Sequence, residues 1–266
     1  MWTRNDFEAR LGRRAVIGMV HLAPLPGSPL FGGSMGEVID AAVRDAVAIR
    51  EGGCDALMFE NFGDRPFSKS AAAPETVSGM TRVIAECARE TNLPFGVNVL
   101  RNDARSALGI AAATGALFIR VNVLAAAMVT DQGIIEGDAA VLQRERSRLG
   151  GAIAVFADHL VKHAVPLAAF DELQLAKDLR HRALADALIV SGMETGSAAD
   201  PDRLASVRNS VDAPLLVGSG LTADNARIYA GIADGAIVGT SIKKNGDVDA
   251  PVERDRVAAV VDRFKA

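Results

Sequence analysis

The chain has 266 residues, a formal net charge of −4, abundant aliphatic side chains and only 5% aromatics. That length suits one large α/β barrel or two small domains, and it buries a core without disulfides or metals. The mild acidity excludes nucleic acid as the default partner, because there is no basic surplus to displace phosphate counterions.

Cys54 and Cys87 form no CxxC pattern and read as small buried apolar residues. The opening Met-Trp-Thr-Arg-Asn-Asp-Phe-Glu has no signal-peptide apolar core. No segment approaches the roughly 20 apolar residues that cross a bilayer. The expectation is a cytoplasmic protein without integral membrane association.

In chain order, short apolar runs alternate with amphipathic stretches. Ala15–Val20 leads through His-Leu-Ala-Pro-Leu-Pro-Gly-Ser-Pro to Met35–Glu51, Ala56–Phe59 to Thr76–Thr91, and Phe95–Val99 to Ala104–Ala113. Leu117–Val123 precedes Asp138–Arg148, and Ala152–Phe156 precedes Glu172–Arg182. Ala187–Val190, Leu215–Val217 and Ala236–Val238 are followed by Pro201–Asn209, Asn225–Ala230 and Glu253–Lys265. Asp200-Pro201 supplies a cap followed by a first-turn proline, and Gly53, Gly115 and Gly235 mark helix-to-strand turns. Eight strand–helix steps without a composition break predict a single-domain (β/α)8 TIM barrel over residues 1–266. An open doubly wound sheet is the alternative, since periodicity counts strands without showing closure.

In such a barrel the loops after the seventh and eighth strands often hold phosphate. Here they read Gly218-Ser219-Gly220-Leu-Thr and Gly239-Thr240-Ser241-Ile-Lys-Lys. Glycines admit close backbone approach, and hydroxyls at Ser219, Thr240 and Ser241 offer donors. Lys243 or Lys244 offers charge at longer range. The loop after the sixth strand, with Glu194 between two glycines, is either a wall of the same pocket or a plain connection. The first loop, Pro24–Pro29, reads as a stiff lid or rim.

Strand alternation aims one set of polar side chains at the mouth. His21 shares a face with Ile17 and Met19, and Glu60 with Ala56 and Met58. Asn98, Arg120 and Asn122 stand opposite their apolar neighbours. If the fifth strand stays extended, Asp158 and Lys162 share a face, with His159 and His163 on the other. Glu60 is the first candidate for general base or metal ligand, with a structural carboxylate as the bland reading. His21 reads as acid/base, as ligand, or as a hydrogen-bonded barrel histidine. Asn98 and Asn122 suit the orientation of hydroxyl groups. Arg120 clamps a second anion or pairs with Glu60 or Asp158. Asp158 and Lys162 form an ion pair, or Lys162 is a Schiff-base nucleophile or electrostatic clamp. No metal motif is present, and no resident cofactor is expected. Glu60 with Asp158 nevertheless offers oxygen ligands to a divalent cation such as magnesium.

Seven segments then acquire a collective meaning. VIGMVHLAPLPGSP, MFENFGDRPF, VNVLRND, FIRVNV, ADHLVKHA, VGSGLTADNA and DGAIVGTSIKKNG resemble, in that order, the BtpA family. The resemblance implies a ribulose-phosphate-binding TIM barrel. It also implies two directions of function, since the family name comes from photosystem I biogenesis while other relatives are associated with sugar metabolism. The leading expectation is an isomerase or aldolase/lyase acting on a small phosphorylated sugar or related metabolite. A non-catalytic assembly or regulatory factor and a metal-dependent hydrolase are the alternatives. A homo-oligomer is expected from the frequent use of such barrels in symmetric assemblies.

Overall fold

The computed structural model describes residues 1–69, 71–192 and 194–266. Its first half runs α1 (Arg4–Leu11), β1 (Ala15–His21), α2 (Met35–Glu51), β2 (Ala56–Glu60), α3 (Pro74–Thr91), β3 (Phe95–Asn98), α4 (Ala104–Thr114) and β4 (Phe118–Val121). An insertion follows, with β5 (Ala127–Thr130) and β6 (Gly133–Glu136) before α5 (Ala139–Arg148), β7 (Ala154–His159), β8 (Ala164–Pro166) and α6 (Glu172–Lys177). The chain ends with β9 (Ala187–Val190), α7 (Pro201–Ser210), β10 (Leu215–Val217), α8 (Ala226–Ala230), β11 (Gly235–Val238) and α9 (Arg254–Lys265).

Eight parallel strands close in the order β1-β11-β10-β9-β7-β4-β3-β2. All eight expected strands are present, and closure decides against the open sheet. Alternation works as the sequence requires. Val16, Val20, Leu57, Phe59 and Val97 face the surrounding helices, while Ile17, Met19, Met58, Phe118 and Phe156 fill the barrel interior. Gly96 has a steric reason to be glycine: a Cβ there would lie 2.1 Å from the Phe118 ring. Phe118 in turn stacks on Phe156, with centroids 4.4 Å apart.

Two features were not anticipated. The first is α1, which carries a capping box between Thr3 and Asp6. It brings Trp2, Phe7 and Leu11 onto the barrel's inner cluster, with Trp2 edge-on to Phe156 at 5.6 Å. The second is an antiparallel sheet in the order β6-β5-β8, outside the barrel wall. Among the described residues, no helix is long and apolar enough to cross a membrane.

Phe156 joins the inner layer to the α1 plug through contacts with Trp2, Phe7 and Phe118. Replacing Phe156 with Ala is expected to cost about 3–5 kcal/mol of folding stability. Urea unfolding followed by circular dichroism measures it; a loss below ~1 kcal/mol would mean the inner layer collapses around the cavity.

Candidate active site

The carboxyl ends of β1 to β4 and β7 bring six polar side chains together. Register places His21 beside Glu60 and Glu60 beside Asn98. Arg120 Nε and Nη2 donate to the two Asp158 oxygens, each at 3.0 Å. Asn122 Nδ2 donates to Asp158 Oδ2 at 2.7 Å, and its own Oδ1 accepts from Asn98 Nδ2 at 3.2 Å. Glu60 closes the arc, 3.9 Å from Arg120 Nη1 and 3.8 Å from His21 Nε2. Its carboxylate accepts no hydrogen bond among the described residues.

Burial decides the protonation tendencies. It raises the Glu60 pKa above the ordinary carboxylate range, against the opposing pull of Arg120 and Lys162. Burial also pushes the His21 pKa well down, and Lys243, Lys162 and Arg120 push the same way. His21 is therefore a neutral imidazole at pH 7. For Arg120 burial opposes the charge, but Asp158 and Glu60 outweigh it and hold the pKa up. Lys162 is lowered to about 8, first by burial and then by Arg120.

Above this ring opens a cavity of about 500 Å³. His21, Glu60, Arg120 and Lys162 form its base, and the loops after β10 and β11 form one side. Gly220 has φ +66°, and a Cβ there would meet the Ala198 backbone at 2.3 Å. Asn225 fixes this turn, donating to Gly220 O at 2.8 Å and accepting from Thr222 N at 2.8 Å. The backbone N–H groups of Gly220, Thr240 and Ser241 find no acceptor among the described residues. Ser241 Oγ is buried without a partner. Arg256 from α9 reaches the same wall, its Nε donating to Ser241 O at 3.0 Å.

With this geometry, comparison with known proteins is informative. Residues 12–266 match the BtpA family over almost the whole chain. The chain belongs to the BtpA family. A Thermococcus kodakarensis protein of uncharacterised function is 49% identical over 261 residues, covering 98% of this chain and 97% of its own. The photosystem I biogenesis protein BtpA of Synechocystis is 43% identical over 248 residues, covering 93% of this chain and 86% of its own. Among solved structures, N-(5'-phosphoribosyl)anthranilate isomerase from Pyrococcus furiosus has a TM-score of 0.59 at 15% identity, covering 94% of this chain and 98% of that one. That likeness concerns the fold, a closed (β/α)8 barrel.

The BtpA-family barrel brings most of the expected residues together but divides them into two layers. Glu60, His21, Arg120 and Lys162 face the cavity, as do Gly218, Ser219, Gly220, Gly239, Thr240 and Ser241. Asn98, Asn122 and Asp158 lie outside its lining, and their side chains bond to Arg120 and to one another beneath it. Asp158 does not pair with Lys162; Arg120 takes both of its oxygens. The same contacts count against a cation shared by Glu60 and Asp158, which would compete with a bidentate guanidinium. Lys162 reaches the cavity from a turn, not from an extended strand, since Leu160 has φ +61° and His163 φ +53°.

Other placements need correction. The Ser219 hydroxyl already accepts from Gly192 N and donates to Ser197 O, so it joins two loops and has no proton left for a ligand. Glu194 is exposed outside the cavity lining, which its loop reaches through Thr195 and Gly196. Met193 of that loop lies outside the described residues. Lys243 turns away to Asp45 at 3.2 Å and makes no direct contact with the cavity, which its charge reaches only at longer range, through His21. From the first loop only His21 lines the cavity. Pro24–Pro29 is a rim packed on the second loop, with Leu25 N donating to Asp64 at 2.8 Å. Arg256 was missed, because a lone arginine early in a C-terminal helix looks like a solvated charge.

The raised Glu60 pKa fixes a sign. The folded state holds the proton more tightly than the unfolded chain, whose carboxyl titrates near the ordinary 4.5. Its contribution is therefore present below that value and is lost as pH rises through the folded pKa. Glu60→Gln should leave stability little changed at acid pH and become progressively stabilising relative to the parent above pH 4.5. Denaturant unfolding of both proteins across pH tests this; a pH-independent difference would contradict it.

Proposed function

We propose that this protein is an enzyme acting on a small phosphorylated sugar or related phosphometabolite, with isomerase or aldolase/lyase-type chemistry. One observation carries the reading. A single cavity has unpaired backbone N–H groups, the Ser241 hydroxyl and Arg256 on one side, and Glu60, His21 and Lys162 at its base. Donors already fixed in position bind a phosphate without further reorganisation. Glu60, with its raised pKa and its place at the cavity base, is suited to take up and release a proton. His21 enters as a neutral hydrogen-bonding group with Nδ1 unpartnered. Support for phosphorylated substrates also comes from the Pyrococcus furiosus neighbour, by name an isomerase of a 5'-phosphoribosyl compound.

A second reading rests on the name of the Synechocystis relative, a photosystem I biogenesis protein. On that reading the barrel acts in assembly and has no turnover. The unpaired groups around the cavity favour catalysis, because a purely structural barrel has no reason to bury Glu60 and Lys162 beside an open cavity.

Two measurements test the proposal. Calorimetric titration with inorganic phosphate should show binding that Arg256→Ala weakens about tenfold, the loss of one charge-assisted hydrogen bond. A panel of phosphorylated sugars and related metabolites should reveal turnover that Glu60→Gln reduces roughly 10²- to 10⁴-fold. Unchanged turnover in that variant removes Glu60 from proton transfer. Phosphate binding without turnover across the panel shifts the assignment to assembly.

A further inference from the structure

Lys162 differs from the other lysines of the chain. Lys243 is buried but neutralised, with Nζ 3.2 Å from Asp45 and 3.0 Å from Ala250 O. Lys265 is paired with Asp55 at 2.7 Å. Lys69, Lys177 and Lys244 are exposed. Lys162 is half-buried at the cavity base, and among the described residues its amine has neither an ion-pair partner nor a hydrogen bond. The carboxylate it would take by proximity along the chain, Asp158, is held by Arg120 and Asn122.

The backbone around it is anchored from both sides. β7 ends at His159 in the barrel wall, and β8 begins at Ala164, paired across to Thr130 of β5. Arg101, itself buried, donates from Nη2 to Lys162 O. A long flexible side chain is thus presented from a fixed turn. A lysine kept only for its positive charge would be stabilised by direct contact with a carboxylate, as Lys243 is. One left unpaired and partly buried is suited to act as a free amine.

We propose that the Lys162 amine is a covalent nucleophile that forms an imine with an aldehyde or ketone carbon of the phosphorylated substrate. The proposal rests on the phosphometabolite reading of the same cavity and narrows its substrate class to carbonyl compounds. The Lys162 ammonium passes one proton to the Glu60 carboxylate. The amine lone pair forms the C–N bond while the carbonyl π pair moves onto oxygen, and a second amine proton moves to that oxygen to give the carbinolamine. Glu60 returns its proton to the hydroxyl, the C–O bond breaks, water leaves, and the nitrogen lone pair completes C=N⁺. Of three ammonium hydrogens, one stays on nitrogen and two leave in the water. The cationic imine withdraws electrons from the adjacent carbon, easing either C–H removal or cleavage of the next C–C bond.

The electrostatic surroundings agree with this role. Glu60 from β2, Arg101 from the loop after β3, Arg120 from β4 and Asp158 from β7 act on the amine, which in turn acts on His21 from β1. With burial as the largest influence, they leave a pKa of about 8, so roughly a tenth of Lys162 is free amine at pH 7.

Pyridoxal 5'-phosphate, an aldehyde that also carries a phosphate, tests the proposal on the intact native protein. After brief incubation, borohydride reduction and peptide mapping, Lys162 should be modified at least tenfold faster than exposed Lys69, Lys177 and Lys244. The rate should rise several-fold between pH 7 and 9. Thermal unfolding controls the fold of Lys162→Met, whose labelling should fall to the slow level of the exposed lysines. Labelling of the native protein confined to the exposed lysines overturns the proposal. Phosphate competition separates the two readings. Fast Lys162 labelling that inorganic phosphate does not slow keeps the imine and removes the phosphate site. Calorimetric phosphate binding without Lys162 labelling keeps the site and removes the imine.

Discussion

The Arg120–Asp158 pair is the constraint on which the mouth of the barrel depends. Both groups are buried in the barrel interior, joined by two parallel hydrogen bonds of 3.0 Å. Burying two charges is costly, and such a pair persists only with good geometry and satisfied neighbours. Asn122 and Asn98 extend the network, and Asn98 also donates to Arg120 O at 3.2 Å. The consequence reaches beyond stability. Arg120 consumes Asp158, leaves Glu60 at 3.9 Å with only partial compensation, and leaves Lys162 without a counter-ion. The unpaired amine of the upper layer follows from the way Arg120 and Asn122 hold the Asp158 oxygens in the lower one.

Several loops outside the barrel keep this arrangement from relaxing. Asn61 accepts from Leu100 N at 2.7 Å and donates to Asp64, which holds Leu25 N. The first three loops thus form one framework. On the other side, the β6-β5-β8 sheet fixes the return of the chain past Lys162. Ser219 joins the loops after β9 and β10. Groups that looked like ligand contacts in the linear sequence act as fasteners for the groups that remain free.

The barrel was legible because apolar alternation and helix punctuation are local signals repeated eight times. Strand parity likewise placed His21, Glu60, Asn98, Arg120 and Asn122 on the inner face. Pairing among them was not legible, since it depends on distances between strands that alternation does not encode. That is why alternation leaves Asp158 open to either Lys162 or Arg120, a choice the structure makes for Arg120, and why it draws Lys162 on an extended strand. The small sheet escaped notice because β5 and β6 are four residues each and β8 three, too short for periodicity. The α1 plug had a capping box but only Phe7 and Leu11 as buried residues within the helix.

Gly239 carries one more implication. A Cβ there would approach the His21 ring to 2.9 Å, so the imidazole lies directly against the start of the eighth loop. Loop and ring are spaced by contact between atoms rather than by a hinge. On the proposed function, a ligand is gauged like an object between caliper jaws, its phosphate against one jaw and its reacting carbon near the other. Such a site selects molecules by the number of bonds separating those two ends, and a homologue one carbon longer or shorter would bind with its reactive atom out of reach.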